Sequence, residues 1–235
     1  MFKKKILPFI MFMVLLLGMA IFPYIPMKLF NIDYESFNMM MKAIYMILCD
    51  IGFMSILFLL YKEKIIKDFK EYFKKFGSNF ELSFKYYFIG LLVMLASNLL
   101  ITFLFKDATA GNEEAVRDMI DQVPLYMIFS VSIYAPFVEE LIFRHSIKDA
   151  VMCHGNNKII SGIYIFTSGF IFGILHILGH ATGLVDYVFL IPYMSLGIAF
   201  AALYSKTNNI FSSISMHMVH NTFTVILYFI AGGAI

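Results

Sequence analysis

Apolar runs of about membrane-spanning length alternate with short polar stretches along most of this chain. Seven runs stand out, at roughly 6–30, 38–61, 83–105, 124–144, 159–180, 184–204 and 210–233. Each is long enough to cross a bilayer, which takes about 20 mostly apolar residues in a helix. A backbone in lipid must satisfy its own N–H and C=O groups, so such runs are helical. The pattern predicts an all-α polytopic membrane protein with about seven transmembrane helices, within a range of six to eight. One polar stretch has a period of its own. In KEKIIKDFKEYFKKF, Ile65, Ile66, Phe69, Tyr72, Phe73 and Phe76 recur at helical spacing, with lysines on the other face. That pattern predicts an amphipathic helix over 62–76, lying in the membrane interface. Its simplest reading is a basic anchor; capture of substrate or lipid is the alternative.

The polar loops orient the spans. Lys3, Lys4 and Lys5 precede the first run, six lysines follow the second, Lys148 and Lys158 follow the fourth, and Lys206 follows the sixth. The intervening loops, NIDYES and KDATAGNEEAVRDMIDQV, are acidic. By the positive-inside rule the N-terminus is cytoplasmic and the C-terminus external, which fits a plasma-membrane protein. The first run exceeds a usual signal-peptide core and no clean A-x-A site follows it, so it reads as a retained span.

Composition narrows the class. Of 235 residues, 60% are hydrophobic and only 14% charged, with a mean hydropathy of +0.80. Soluble domains hold about 45–50% apolar and about 25% charged residues. No polar stretch is long enough for a separate soluble core, so residues 1–235 read as one integral membrane domain. The net charge of +2 gives no sign of nucleic-acid binding. Cys49 and Cys153 fit neither a CxxC nor a Cys/His spacing.

Ionisable groups inside spans are candidate functional residues, and three spans carry them in a pattern. In APFVEELIFRH, Glu140 and Arg144 are four apart and share a helix face, where they can pair; Glu139 points about 100° away. One carboxylate is thereby neutralised and the other left free to act as a general acid or base. In FIFGILHILGH, Phe172, His176 and His180 fall on one stripe. In SSISMHMVHNTF, His217 and Asn221 share a face, with Ser213 one turn earlier and His220 set aside from it. Such a pair can hold an oxyanion, ligate a metal or bind helices together. Taken together, a free carboxylate, a histidine and a His/Asn pair are the parts needed to activate water and stabilise a tetrahedral intermediate. Asp50, in the second span, stands outside this pattern.

Glu139-Glu140-x-x-x-Arg144, Phe172-x-x-x-His176 and His217-x-x-x-Asn221 together resemble the three motifs of the CPBP (Abi) family. That family includes the type II CAAX prenyl endopeptidases and relatives linked to bacteriocin processing and immunity. The resemblance covers roughly 124–225, placing a catalytic core in the last four spans; residues 1–106 look like generic N-terminal spans. His145 stands where a glycine is common. The resemblance implies an intramembrane endopeptidase acting on a membrane-associated peptide or protein. Glu139 and His176 would activate water, His217 and Asn221 would stabilise the oxyanion, and Glu140 and Arg144 would orient the first group. The family's metalloprotease label implies Zn²⁺ as an alternative, held by Glu139, His176 and His217; no HExxH is present, and metal-free chemistry is the reading preferred. A non-hydrolytic immunity or adaptor protein is the other reading of the same motifs.

One expectation follows from distance. With spans at 124–144 and 159–180, Glu139 lies near one end of its helix, and His176 lies about 26 Å along the next at 1.5 Å per residue. They meet only if the fourth helix continues past Arg144 toward Met152, or if the fifth begins near Phe166. The helical character of RHSIKDAVM favours the longer helix. Substrate entry is expected from the cytoplasmic side or laterally.

Overall fold

The computed structural model describes residues 2–106, 109–155, 157–181 and 183–233, with side chains from Ile6 onward. The side chains of Lys3, Lys4 and Lys5, and Asp107 and Ala108 of the acidic loop, lie outside the described residues. Among the described residues every regular element is helical. Five helices are long and apolar enough to cross a membrane: Met39–Leu60, Phe76–Leu104, Pro124–Met152, Lys158–Leu178 and Leu184–Thr207. The protein is an all-α polytopic membrane protein.

The predicted first span is divided into α1 (Phe2–Ile21) and α2 (Tyr24–Leu29). Pro23 sits at the break; a proline lacks the N–H that would continue the ladder. The second span forms α3 (Met39–Leu60), started by the Asn38 side chain accepting from Met41 N at 3.0 Å. The amphipathic stretch forms α4 (Lys62–Lys74), and α5 (Phe76–Leu104) begins earlier than its apolar run. Asn79 explains the break between them: its amide donates to the Tyr72 carbonyl at 2.8 Å and satisfies an end of α4. The acidic loop contains a helix the apolar pattern did not show, α6 (Gly111–Gln122).

The fourth span is α7, a continuous helix from Pro124 to Met152. It outruns the predicted 124–144, so the longer-helix solution to the distance problem is the one adopted. Next, α8 (Lys158–Leu178) starts from Asn157, whose side chain accepts from Ile160 N at 2.9 Å. It ends before His180, which therefore leaves the stripe shared by Phe172 and His176. A 3₁₀ segment, Leu184–Phe189, leads into α9 (Leu190–Thr207), and α10 (Ile210–Ile230) follows. Two asparagines make that last corner. Asn208 takes the left-handed conformation, with φ of 51°, and closes α9; Asn209 starts α10. This is ordinary C-cap and N-cap chemistry. The seventh run is one helix, as predicted, but Ser212, Ser213, Ser215, His217, His220 and Asn221 dilute its apolar character, and it is not among the five.

The middle of α7 is the most deeply packed part of the bundle. Val138, Leu141, Ile142, Phe143 and Ile147 share one buried cluster with Phe12 and Leu15 of α1, Phe53 and Leu57 of α3, Tyr164 and Phe172 of α8, and Ile210 and Ile214 of α10. Alongside, α8 and α9 cross at glycines. A Cβ on Gly169 would lie 2.8 Å from Ile198 N, and one on Gly197 would lie 3.0 Å from Gly169 Cα. Small residues at such crossings let apolar helices pack backbone to backbone where no hydrophobic drive separates lipid from protein.

The amphipathic helix is more than an anchor. Asp68, 2% exposed, accepts from the Ile210 N–H at 2.8 Å, and Asn209 donates to the Asp68 carbonyl at 2.8 Å. Lys64 compensates the carboxylate at 2.9 Å. Thus α4 caps the start of α10, while Phe69, Phe73 and Phe76 stay exposed. A carboxylate there also favours the positive end of the helix dipole. Asp68→Ala is expected to lower stability by about 1–3 kcal/mol, read as thermal unfolding of the purified protein in detergent; an unchanged midpoint would show that the cap contributes nothing.

Candidate active site

The first motif sits where α7 loosens. Two π-helical stretches, Ser130–Tyr134 and Glu140–Ser146, flank a single α turn, Ala135–Glu139. Wide turns of this kind relieve the clash a proline makes with the preceding carbonyls, and Pro136 lies just after the first of them. Glu139 is the last residue of the α turn and Glu140 the first of the second wide turn.

Adjacent in sequence, these two carboxylates meet different surroundings. Glu140 is fully buried and lies 3.0 Å from Arg144 Nε, which is equally buried. The predicted i,i+4 pair is formed. Arg144 is then enclosed. Its guanidinium carbon sits 4.7 Å from the Phe172 ring centroid and 5.8 Å from that of Phe200, and Nη1 donates to Ser168 Oγ at 3.2 Å. The Ser168 hydroxyl in turn donates to the Phe143 carbonyl at 2.7 Å. Glu139 keeps a side-chain exposure of 16%, and its Oε2 has no hydrogen-bond partner.

Both histidines have assignable tautomers. His176 Nδ1 lies 2.8 Å from the Phe172 carbonyl, which can only accept, so Nδ1 carries the proton and Nε2 is the free nitrogen. His217 Nδ1 lies 2.9 Å from Glu140 Oε1, which likewise makes Nδ1 the donor. Its Nε2 faces Glu139 Oε2 at 3.8 Å. Rings fix both imidazoles: Tyr193 stacks on His176 at 4.9 Å, and Phe200 on His217 at 5.2 Å. Phe172 lies against both imidazoles, 4.3 Å from His176 and 5.8 Å from His217 between ring centroids.

The structure brings Glu139, Glu140, Arg144 and His217 into direct contact, and the Phe172 ring joins His176 to them. It also changes one expected relation: Glu140 holds His217 of the third motif as well as Arg144. Asn221 lies one turn beyond His217, and its amide donates to the Val131 carbonyl at 2.9 Å. His220 turns toward α5, with Nδ1 3.3 Å from the Tyr87 hydroxyl. Asp50 is buried against α7 with Oδ2 unpartnered. His145, at the position of the common glycine, packs edge-on to Tyr61 at 4.8 Å and bonds the Tyr204 hydroxyl at 3.1 Å. Ser168, Tyr193, Phe200 and the Val131 carbonyl were not foreseen. Ser168 lies two turns before His176 on the same face, which is a readable signal. Phe200 and Tyr193 act from another helix and leave none.

As donors for a metal, Glu139, His176 and His217 do not converge: among the described residues no three His, Cys, Asp or Glu side chains gather closely enough to hold an ion. A small cavity of about 10 Å³ reaches His176, bordered by Gly111, Asn112, His180, Asp186 and Tyr193. That is room for about one water. It lies by the N-terminus of α6, at the end opposite the lysine-rich loops. A larger cavity, about 590 Å³, opens at the lysine-rich end among Lys64, His145, Lys148 and Tyr204, but no motif residue lines it.

Residues 121–223 match the family model described as type II CAAX prenyl endopeptidase Rce1-like. The match covers this segment, under half of the chain, and is a similarity to that family. Among similar curated proteins, YdiL of Bacillus subtilis, a candidate membrane peptidase by its name, is 34% identical over 153 residues, which cover 59% of this chain and 57% of YdiL. MroQ of Staphylococcus aureus, named a membrane-embedded CAAX protease, is 26% identical over 145 residues, 59% of this chain and 55% of its own. YvdC of Lactococcus lactis is 21% identical over 136 residues, covering 58% and 48%. The matched stretch spans about half the length of each relative. No solved structure matches the chain significantly. All three CPBP motifs lie inside the matched segment.

The ion pair gives a test of stability. Arg144→Ala leaves Glu140 buried without its counter-ion and is expected to cost about 3–5 kcal/mol. Glu140→Gln with Arg144→Met should recover much of that stability while leaving His217 without its charged partner. Thermal unfolding of the three proteins checks the order.

Proposed function

We propose that this protein is a CPBP-type intramembrane endopeptidase that hydrolyses a peptide bond of a membrane-associated peptide or protein. The observation that carries the reading is the unpartnered carboxylate oxygen of Glu139, beside two histidines whose Nδ1 protons are already committed elsewhere. A water between Glu139 and His176 Nε2 gives up a proton to this pair as its oxygen adds to the scissile carbonyl carbon. The carbonyl oxygen becomes an oxyanion. Protonated at both nitrogens, His217 donates from Nε2 to that oxygen, and Glu140 balances its charge across the ring. Collapse of the intermediate breaks the C–N bond, and the proton held by the Glu139–His176 pair passes to the leaving amine. Glu140 and Arg144 act through His217 and do not touch substrate.

The step needs no metal in this scheme, and cleavage is expected to persist in the presence of a strong zinc chelator. We further read the lysine-rich end as cytoplasmic and the membrane as the plasma membrane. Glu139→Ala and His176→Ala should each reduce cleavage by about 10²–10⁴-fold, the usual worth of a positioned acid–base group. The test is comparative proteomics of membranes from cells carrying the wild type or Glu139→Ala. A peptide terminus present only with the wild type identifies the substrate. Absence of any such terminus, or full activity in either variant, would sink the protease reading in favour of a partner-binding role.

A further inference from the structure

The Asn221 contact repairs a defect in α7. In the first wide turn the hydrogen bonds span five residues: the Ala135 N–H donates to the Ser130 carbonyl. In that register the next carbonyl, Val131, would take its bond from the N–H of residue 136. That residue is Pro136, which is buried and has no N–H. A carbonyl inside the bundle without a donor is costly, and lipid supplies none. The donor comes instead from a helix 90 residues away: Asn221 Nδ2, at 2.9 Å.

From this geometry we propose that Asn221 is a positioning residue: its amide replaces the backbone donor that Pro136 lacks, and so fixes the turn of α7 from which Glu139 projects. Two contacts from α10 then hold α7, Asn221 on Val131 and His217 on Glu140. Glu139 lies between them in the chain. Without the first contact the wide turn is free to rewind, and rewinding by a residue swings Glu139 by about 100° about the helix axis. The effect on cleavage rests on the proposed protease reading; the effect on the helix does not. The role differs from direct donation to an oxyanion because it can be supplied by another group. Replacing Pro136 by any residue with an N–H restores the missing donor in place.

The experiment is a four-protein cycle: wild type, Asn221→Ala, Pro136→Ala and the double variant, each purified in detergent for thermal unfolding. Each is also expressed in cells for release of the Glu139-dependent membrane terminus described above. Asn221→Ala should lower the midpoint by about 2–4 °C, the cost of one unsatisfied carbonyl in a chain of this size. It should slow cleavage by about tenfold to a hundredfold, as a displaced catalytic group does. Pro136→Ala in that background should recover most of both. If Asn221→Ala alone fails to fold, recovery of a folded double variant gives the same support, and failure of both overturns the proposal. Recovery of neither stability nor cleavage in the double variant also overturns it and leaves Asn221 as a direct donor. If the wild type releases no terminus while the unfolding midpoints still show the recovery, the protease reading fails and the positioning role stands.

Discussion

A buried charge needs partners, and the Glu140–Arg144 pair draws them from three other helices. Neither group sees solvent. Replaced by apolar residues, such a pair often costs nothing; deprived of one partner, it costs several kcal/mol. Here the two charges use up a donor from His217, the hydroxyl of Ser168 and the faces of Phe172 and Phe200. These come from α8, α9 and α10. The helices that carry the motifs are thus bound to α7 by electrostatics as well as by packing, and the position of each catalytic candidate depends on the same pair.

The division of labour between the two glutamates follows from that constraint. Glu140 is engaged by Arg144 and His217. Glu139 sits one residue earlier, at the joint between an α turn and a wide turn, and keeps an unused oxygen. A regular helix would carry both side chains on a smoothly advancing face. The wide turns interrupt that advance, so neighbouring residues can be sealed and open respectively. The same irregularity explains Pro136, which a regular helix interior would not tolerate without a kink.

Much of this was legible in the sequence where the signal is local. Apolar runs marked the spanning helices, the i,i+4 rule paired Glu140 with Arg144, and the distance between Glu139 and His176 required a long α7. Less was legible where a residue acts across the bundle. Phe200 and Tyr193 are unremarkable on their own helices, and only tertiary packing stacks them on the histidines. The wide turns leave no periodic trace, since they change the register without changing the residue types. Helix α6 was hidden because its residues are polar; GNEEAVRDMIDQ has no membrane-length apolar run, and its role is to pack over the end of α8. His180 was grouped with His176 by spacing alone, but α8 ends two residues before it.

The cap that Asp68 places on α10 also has a meaning in time. Ribosomal synthesis delivers α4 well before α10, since Asp68 and the amide it receives are 142 positions apart. Until then Asp68 has Lys64 but not its second partner, and Glu140 has Arg144 but not His217. Assembly therefore closes in one late event, when α10 docks and fills both vacancies together. A nascent chain interrupted before that point would carry the first two motifs with no formed centre, so the proposed hydrolysis would be confined to a finished bundle.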